Sequence, residues 1–437
     1  MAFASAHVPE QCEQSNEAFL DALQRAAFDY FVHAASPDNG LIADTSRENS
    51  PSSIAVIGFA LSAYPVAVER GWMTRDEAVR RSLSVLRFFR DSDQSGSPDS
   101  TGYKGFYYHF LDMRTGARVW RSELSMIDTA FLLAGALTAS GYFAANTPEE
   151  SELREIVEAL YLRVDWPWSQ GGATTIRQGW KPECGFLHYG WDGYNEAILL
   201  YVLAMGSPTH PLDADCYEAW TATYQWENLY GYDFLYAGPL FVHQFSHAWI
   251  DFRGIQDRFM REKRCDYFEN SRRAAHVQRE YAQRNPHEFA GFDENCWGLS
   301  AGDGPGDALR RTADGRWRSF GYAARGVPHG PDDGTLCGWA ALASLPFAPA
   351  IALSAARAMA RRFPAMLSMN QYSSGFNPGL SDTGGRAWVS PGKFGLDQGI
   401  ILMMIENHRT EFFWKLMRDC SCLTDGLRRA GFRGGWL

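Results

Sequence analysis

Several things are missing from this 437-residue chain, and each absence excludes something. No apolar run reaches the roughly 18–20 residues that a membrane-crossing helix needs, so no membrane partner is expected. Lys and Arg number 41 against 51 Asp and Glu, a formal charge of −10. Basic residues nowhere cluster; the nearest approach, RFMREKR at 258–264, is broken by Glu262. Phosphate-binding surfaces need such clusters, so nucleic acid is not an expected partner. The eight cysteines include no C-x-x-C pair. Cys420 and Cys422 stand too close for an ordinary bridge and are too few for zinc, so packed thiols are expected. The opening MAFASAHVPEQ shows neither a charged n-region nor an apolar h-region. The expectation is a chain without an intact signal peptide, cytoplasmic as it stands and periplasmic or secreted if a leader has been removed. A serine- or lysine-nucleophile enzyme is not expected either.

What is present is a helical chain with aromatic loops. Hydrophobic residues make up 46% and charged ones 21%, enough for a sizeable core. Over 17–35, Phe19, Leu23, Ala26, Ala27 and Tyr30 recur at helical spacing. Similar patterns predict helices over 53–69, 75–89, 123–143, 147–162, 193–205, 213–226, 239–250, 335–345, 347–363, 398–405 and 411–420, with a long polar segment over 255–284. Strand-like alternation is confined to short pieces such as 105–113 and 116–120, a hairpin turning at Arg114-Thr115-Gly116. Long connections rich in Gly, Trp, Tyr and Asp run over 93–120, 164–191, 227–238, 285–333 and 364–396. Loops of that length are uncommon in compact domains unless they carry function. No linker divides the chain, so one domain over 17–437 is expected behind an N-terminal extension, 1–16. Paired helices with long loops at one end fit an (α/α) toroid with a central cleft. A helical solenoid is the alternative, without a repeat period to support it.

Three carboxylate sites stand out. In GWDGYNEAILLYVLAM (190–205), Asp192 stands at the start of an apolar helix and Glu196 inside its first turn and a half, beside Trp191, Tyr194 and Asn195. At i and i+4 on a helix they share a face, which like charges avoid unless one is protonated or a ligand intervenes. Asp192 reads as an N-cap; Glu196, desolvated by aromatics, suits a general acid. In WRSELSMIDTAFLLAG (120–135), Glu123 and Asp128 open another apolar helix, five residues and so about 140° apart. Early-turn acids also simply favour the helix dipole, which accounts for Glu123 better than for Asp128. In GKFGLDQGIILMMIEN (392–407), Asp397 is an N-cap candidate, and an N-cap carboxylate held ionised by N–H groups suits a general base.

FVHQFSHAWIDFR places His243, His247 and Asp251 at i, i+4 and i+8, followed by Arg253. Metal is one reading, but polar contact to a ligand or to neighbouring helices fits better without an H-E-x-x-H glutamate, so no metal and no cofactor are expected. Loop aromatics including Trp120, Trp191, Tyr194 and Trp297 suit the C–H faces of sugar rings, although about half of such residues should be packing anchors.

The stretches ELSMIDTAFLLAG, RVDWPW, GFLHYGWDGYNEAILLYVLAMGSP, PLFVHQFSHAWIDFR, YFENSRRA, WGLSAGDGP, SLPFAPA and FGLDQGIILMMIENHRTEFFW together resemble the bacterial glycoamylase-like domain. That family covers endo-β-1,2-glucanases and the C-terminal part of cyclic β-1,2-glucan synthases. The resemblance implies an (α/α)6 barrel acting on β-1,2-linked glucose polymers. It matches Glu196, Glu123 with Asp128, and Asp397 to the family's candidate acids. The expectation is a β-1,2-glucan hydrolase with Glu196 as proton donor and Asp397 or Glu123 activating water. Trp120, Asp128, Trp191, Asp192, Tyr194, His243, His247, Asp251, Arg253 and Trp297 are expected to bind substrate. The alternatives are an exo-acting sophorose-releasing enzyme, a transglycosylase, a non-catalytic glucan-binding protein, and a uronate lyase, which the acidic residues disfavour.

Overall fold

A computed structural model describes residues 15–306, 309–311, 317–381 and 385–437. The expected extension therefore lies outside the described residues except at its last two positions, Ser15 and Asn16, where the first helix begins.

Fourteen helices are described: α1 Asn16–His33, α2 Ile54–Glu69, α3 Arg75–Asp91, α4 Met126–Tyr142, α5 Pro148–Leu162, α6 Ile198–Gly206, α7 Ala214–Thr221, α8 Arg258–Lys263, α9 Tyr267–Arg284, α10 Gly338–Ala343, α11 Pro349–Arg362, α12 Gly395–Thr410, α13 Phe412–Arg418 and α14 Ser421–Arg429. Six segments make the inner wall in ring order: α2, α4, α6, the short 3-10 pair Leu240–His243 and Ser246–Ala248, α10, and α12, which returns against α2. Outside them, α1 backs α2 and α12, α3 and α5 pack together, α14 backs α6, and α11 backs α10. This is an (α/α)6 barrel.

Sequence separates the layers. Inner helix α2 is buried at every position from Ile54 to Ala67, whereas outer helix α3 buries one stripe and shows Arg and Glu outward. A helix apolar all round can only sit inside. Inner helices also approach closely: a Cβ on Gly58 would meet the Phe131 carbonyl oxygen at 2.1 Å, and one on Gly135 would meet Gly58 O at 1.9 Å. Alanine at either position would force α2 and α4 apart.

Two expected helices differ. Residues 239–250 form two 3-10 turns rather than one α-helix, with Pro239 before the first and Ser246 Oγ bonding outside the segment, to Glu196 O. The polar segment 255–284 divides at Arg264, which adopts φ +53°, into α8 and α9. The loops add a five-stranded antiparallel sheet in which Phe106–Tyr108 and Leu124–Ser125 are neighbours. The expected hairpin forms by pairing Leu111 with Arg118, and Asp112 closes its turn by accepting from Arg114 N, Thr115 N and Thr115 Oγ1. Among the described residues no helix is long and apolar enough to cross a membrane. All seven described cysteines are free thiols.

Candidate active site

At one end of the barrel a cavity of about 530 Å³ opens between inner-helix entries and loops. Phe131, Phe241, Phe245 and Trp339 give it apolar walls, and Asp44, Glu123, Asp128, Glu196 and Asp397 bring five carboxyls to it. Expelling water from carboxyls raises their affinity for protons unless donors or cations compensate. Here that compensation is unequal.

Glu196 does not lie inside the helix as expected. It sits in the turn before α6, whose N-cap is Ala197. The turn is held locally: Asn195 Oδ1 accepts from Ala197 N at 3.0 Å, and Gly193 adopts φ +74° while donating to Trp220 O. Ser246 Oγ donates to the Glu196 carbonyl at 2.7 Å and accepts from Leu199 N at 3.2 Å. Burial pushes the Glu196 carboxyl up to about 7, opposed by its own backbone N–H and reinforced by Asp128. Because the segment is not helical, Asp192 and Glu196 share no helical face. Asp192 is exposed, caps no helix and does not line the cavity.

Glu123 and Asp128 also differ from expectation. Glu123 precedes the strand Leu124–Ser125 and Asp128 lies in the first turn of α4, so the 140° separation does not apply. Both reach His109, at the bend after the neighbouring strand Phe106–Tyr108: Glu123 Oε1 lies 2.9 Å from its Nδ1 and Asp128 Oδ2 lies 3.4 Å from its Nε2. Ser125 Oγ donates to Asp128 Oδ2 at 2.5 Å and accepts from Asp128 N at 3.3 Å. Burial alone would depress His109; Asp128, Glu123 and Asp44 overcome it and raise the imidazole to about 9. Burial pushes Glu123 up as well, but the hydrogen bond and charge of His109 bring it below the ordinary range.

Asp397 is the third residue of α12, whose N-cap is Phe394, so it is not the cap. It is 5% exposed, and its Oδ2 is a buried atom without a hydrogen-bond partner among the described residues. Burial lifts its carboxyl well above the ordinary value, Ser374 opposes the shift, and Asp44 and Asp303 add to it. The expectation of a carboxylate kept ionised by N–H donors is therefore corrected.

The His243–Asp251 group is not a ligand face. With 239–250 broken into 3-10 turns, the residues point into packing: His243 and His247 are each 1% exposed, and burial depresses them to about 4 and 3. His243 Nδ1 meets Tyr194 Oη at 3.3 Å, and His247 Nε2 meets Ser271 Oγ at 3.0 Å. Asp251 is paired with Arg253 and Arg418, and Arg253 also with Glu411. Tyr194 packs behind the cavity against Tyr224 and Tyr267, and Trp297 is fully buried. Of the expected aromatics only Trp191 lines the cavity; Trp120 stands outside, 70% exposed. No group of metal-ligating side chains occurs among the described residues.

Two runs match serine-nucleophile patterns by letter, Gly298-Leu299-Ser300-Ala301-Gly302 and Ser390-Pro391-Gly392-Lys393, and were not anticipated. Ser300 is fully buried with its Oγ accepting from Phe241 N, Ser390 is buried with its Oγ donating to Asp303, and neither lines the cavity, so neither is presented to a substrate as a nucleophile must be. Asp44, His109, Phe110, Tyr322 and Phe394 line the cavity without a motif announcing them.

Carboxyls set in unlike environments around an aromatic cavity, at the end of an α/α barrel, define a class: α/α-barrel proteins with paired acids of differing proton affinity at the barrel mouth. The chain belongs to the glycoamylase family, whose profile, described as "Putative glucoamylase", matches residues 188–421. An exo beta-1,2-glucooligosaccharide sophorohydrolase (non-reducing end) of Parabacteroides distasonis is 28% identical over 95% of this chain. The chain spans 58% of the length of that relative. A Bacteroides uniformis structure, described as a "putative glucoamylase", superposes with a TM-score of 0.86 at 29% identity, covering 98% of this chain and 100% of its own. The endo-beta-1,2-glucanase of Chitinophaga pinensis, in complex with sophorotriose and glucose, gives 0.82 at 25% identity, over 97% and 100%.

Proposed function

We propose that the chain is a glycoside hydrolase that cleaves β-1,2-linked glucan or its oligosaccharides. Glu196 is the proton donor and Asp397 the carboxyl that activates water. The observation that carries this is a carboxyl held near 7, Glu196, in the same cavity as Asp397, whose Oδ2 is unengaged. A group near 7 is still partly protonated at neutral pH, where an ordinary glutamate is not, and it releases its proton readily, as a general acid must. Glu196 passes its proton to the glycosidic oxygen as the C1–O bond breaks. Water adds to C1 and gives its proton to Asp397. Glu123 is the second candidate for that base, but its Oε1 is already engaged by His109, so its role is to hold the imidazolium at the cavity wall. As written, the reaction moves protons among carboxyls, water and sugar, and needs no cofactor.

Family membership and the activities named for the relatives support the choice of substrate. Product analysis on linear β-1,2-glucan tests it. Mixed oligosaccharides mean endo action, sophorose alone means exo action, and longer products mean transfer. Binding of the glucan without cleavage would instead make the chain a glucan-binding protein and overturn the proposal.

A further inference from the structure

Trp120 is built to be exposed. Val119 O accepts from Ser122 N at 3.0 Å, and the two residues between, Trp120 and Arg121, adopt φ +56° and +49°. Two successive positive φ values inside such a turn are the signature of type I′, a turn that selects Asn-Gly because side chains are strained there. Trp-Arg is a poor choice for the backbone, and strained residues persist only when their surroundings hold them. The surroundings do hold them. Arg118, buried beneath the turn, donates to Ser122 O and makes a bidentate pair with Glu183. The result is an indole 70% open to water on a fixed support.

Its position relates it to the cavity. His109 stacks on Phe110 with centroids 3.9 Å apart and planes 13° apart, and both line the cavity. Trp120 lies 5.1 Å beyond Phe110. The three rings follow one another from the carboxyl-bound imidazolium to Trp120, which is tilted 58° to Phe110 and is not part of the cavity lining. Arg121 beside it offers guanidinium donors to hydroxyls.

Resting on the hydrolase reading above, we infer that Trp120 is a sugar-stacking platform outside the cavity, engaging a glucosyl unit remote from the cleaved bond and so setting chain-length preference. An indole face covers the C–H side of a sugar ring, and a fixed one loses little freedom on doing so. Short oligosaccharides that fill only the cavity do not reach it.

The test uses Trp120→Gly and Trp120→Phe with a size series of β-1,2-glucooligosaccharides. Glycine is at home at φ +56°, so Trp120→Gly should melt no lower than the wild type. On long substrates its KM should rise by roughly fivefold to tenfold with kcat unchanged. On the shortest cleaved oligosaccharide both constants should match the wild type, and Trp120→Phe should recover most of the long-chain effect. An equal loss at every length, or none at any length, overturns the inference. If the wild type cleaves no member of the series, the hydrolase reading fails instead.

Discussion

Glu123 Oε1 lies 2.9 Å from His109 Nδ1, and that contact helps set the charge of both groups. Alone, burial would push the histidine towards its neutral form and the glutamate towards its protonated form. Together with Asp128 and Asp44 they are an imidazolium among carboxyls, with His109 raised to about 9. A folded-state value above the unfolded 6.5 means the contribution to stability is complete below about pH 6.5 and disappears as pH rises through about 9. His109→Gln should therefore be less stable than the wild type at pH 6, with the gap narrowing by pH 10. Melting temperatures at the two pH values check this; a constant gap would mean the charge does not contribute.

The barrel was legible because inner and outer helices differ in composition: α2 and α4 are apolar throughout, and α1 and α3 are striped. Glu196, Glu123, Asp128 and Asp397 were legible because carboxyls at the head of apolar runs are conspicuous. Their mutual geometry was not. Helical arithmetic separated Glu123 from Asp128, whereas a strand end lets both reach His109, a residue hidden in alternating strand sequence. Asp44 sits in a loop with no pattern at all. The His243–His247–Asp251 spacing misled because side-chain and proline effects broke the helix it presupposed.

Glu196 pushed up to about 7 sets the alkaline side of activity. kcat/KM should fall as pH rises through about 7, because the donor is lost. Asp397 must shed its proton to act as base, and its raised pKa moves the acid limb upward too, giving a narrow bell. Activity still climbing at about pH 9 would contradict the donor assignment.

Asp251 braces the barrel wall. Its side chain is fully buried between Arg253 and Arg418, so Asp251→Ala takes the carboxylate from Arg418 and leaves Arg253 with Glu411 alone. Both arginines are about a third exposed to water, so unfolding free energy should drop by about 1–3 kcal/mol. Turnover per folded molecule should be unchanged, which denaturant unfolding and active-enzyme assays together check. A selective loss of kcat would return this group to the site.

Prolonged dialysis against a chelator should leave turnover on β-1,2-glucan unchanged, since both proposed proton carriers are carboxyls. Activity lost on dialysis and restored by zinc or calcium would reverse this.

Asp397→Asn keeps shape while removing the base. With Asp397 outside the cap position, the amide should preserve the melting temperature, and kcat should fall by roughly 10²–10⁴. A variant with near-normal rate would move the base to Glu123.

The most direct measurement is turnover of Glu196→Gln on linear β-1,2-glucan. The amide retains size and hydrogen bonding but carries no acidic proton, so glucan binding should survive while kcat falls by roughly 10²–10⁴. Near-normal turnover by a correctly folded Glu196→Gln enzyme would contradict the assignment of Glu196 as proton donor.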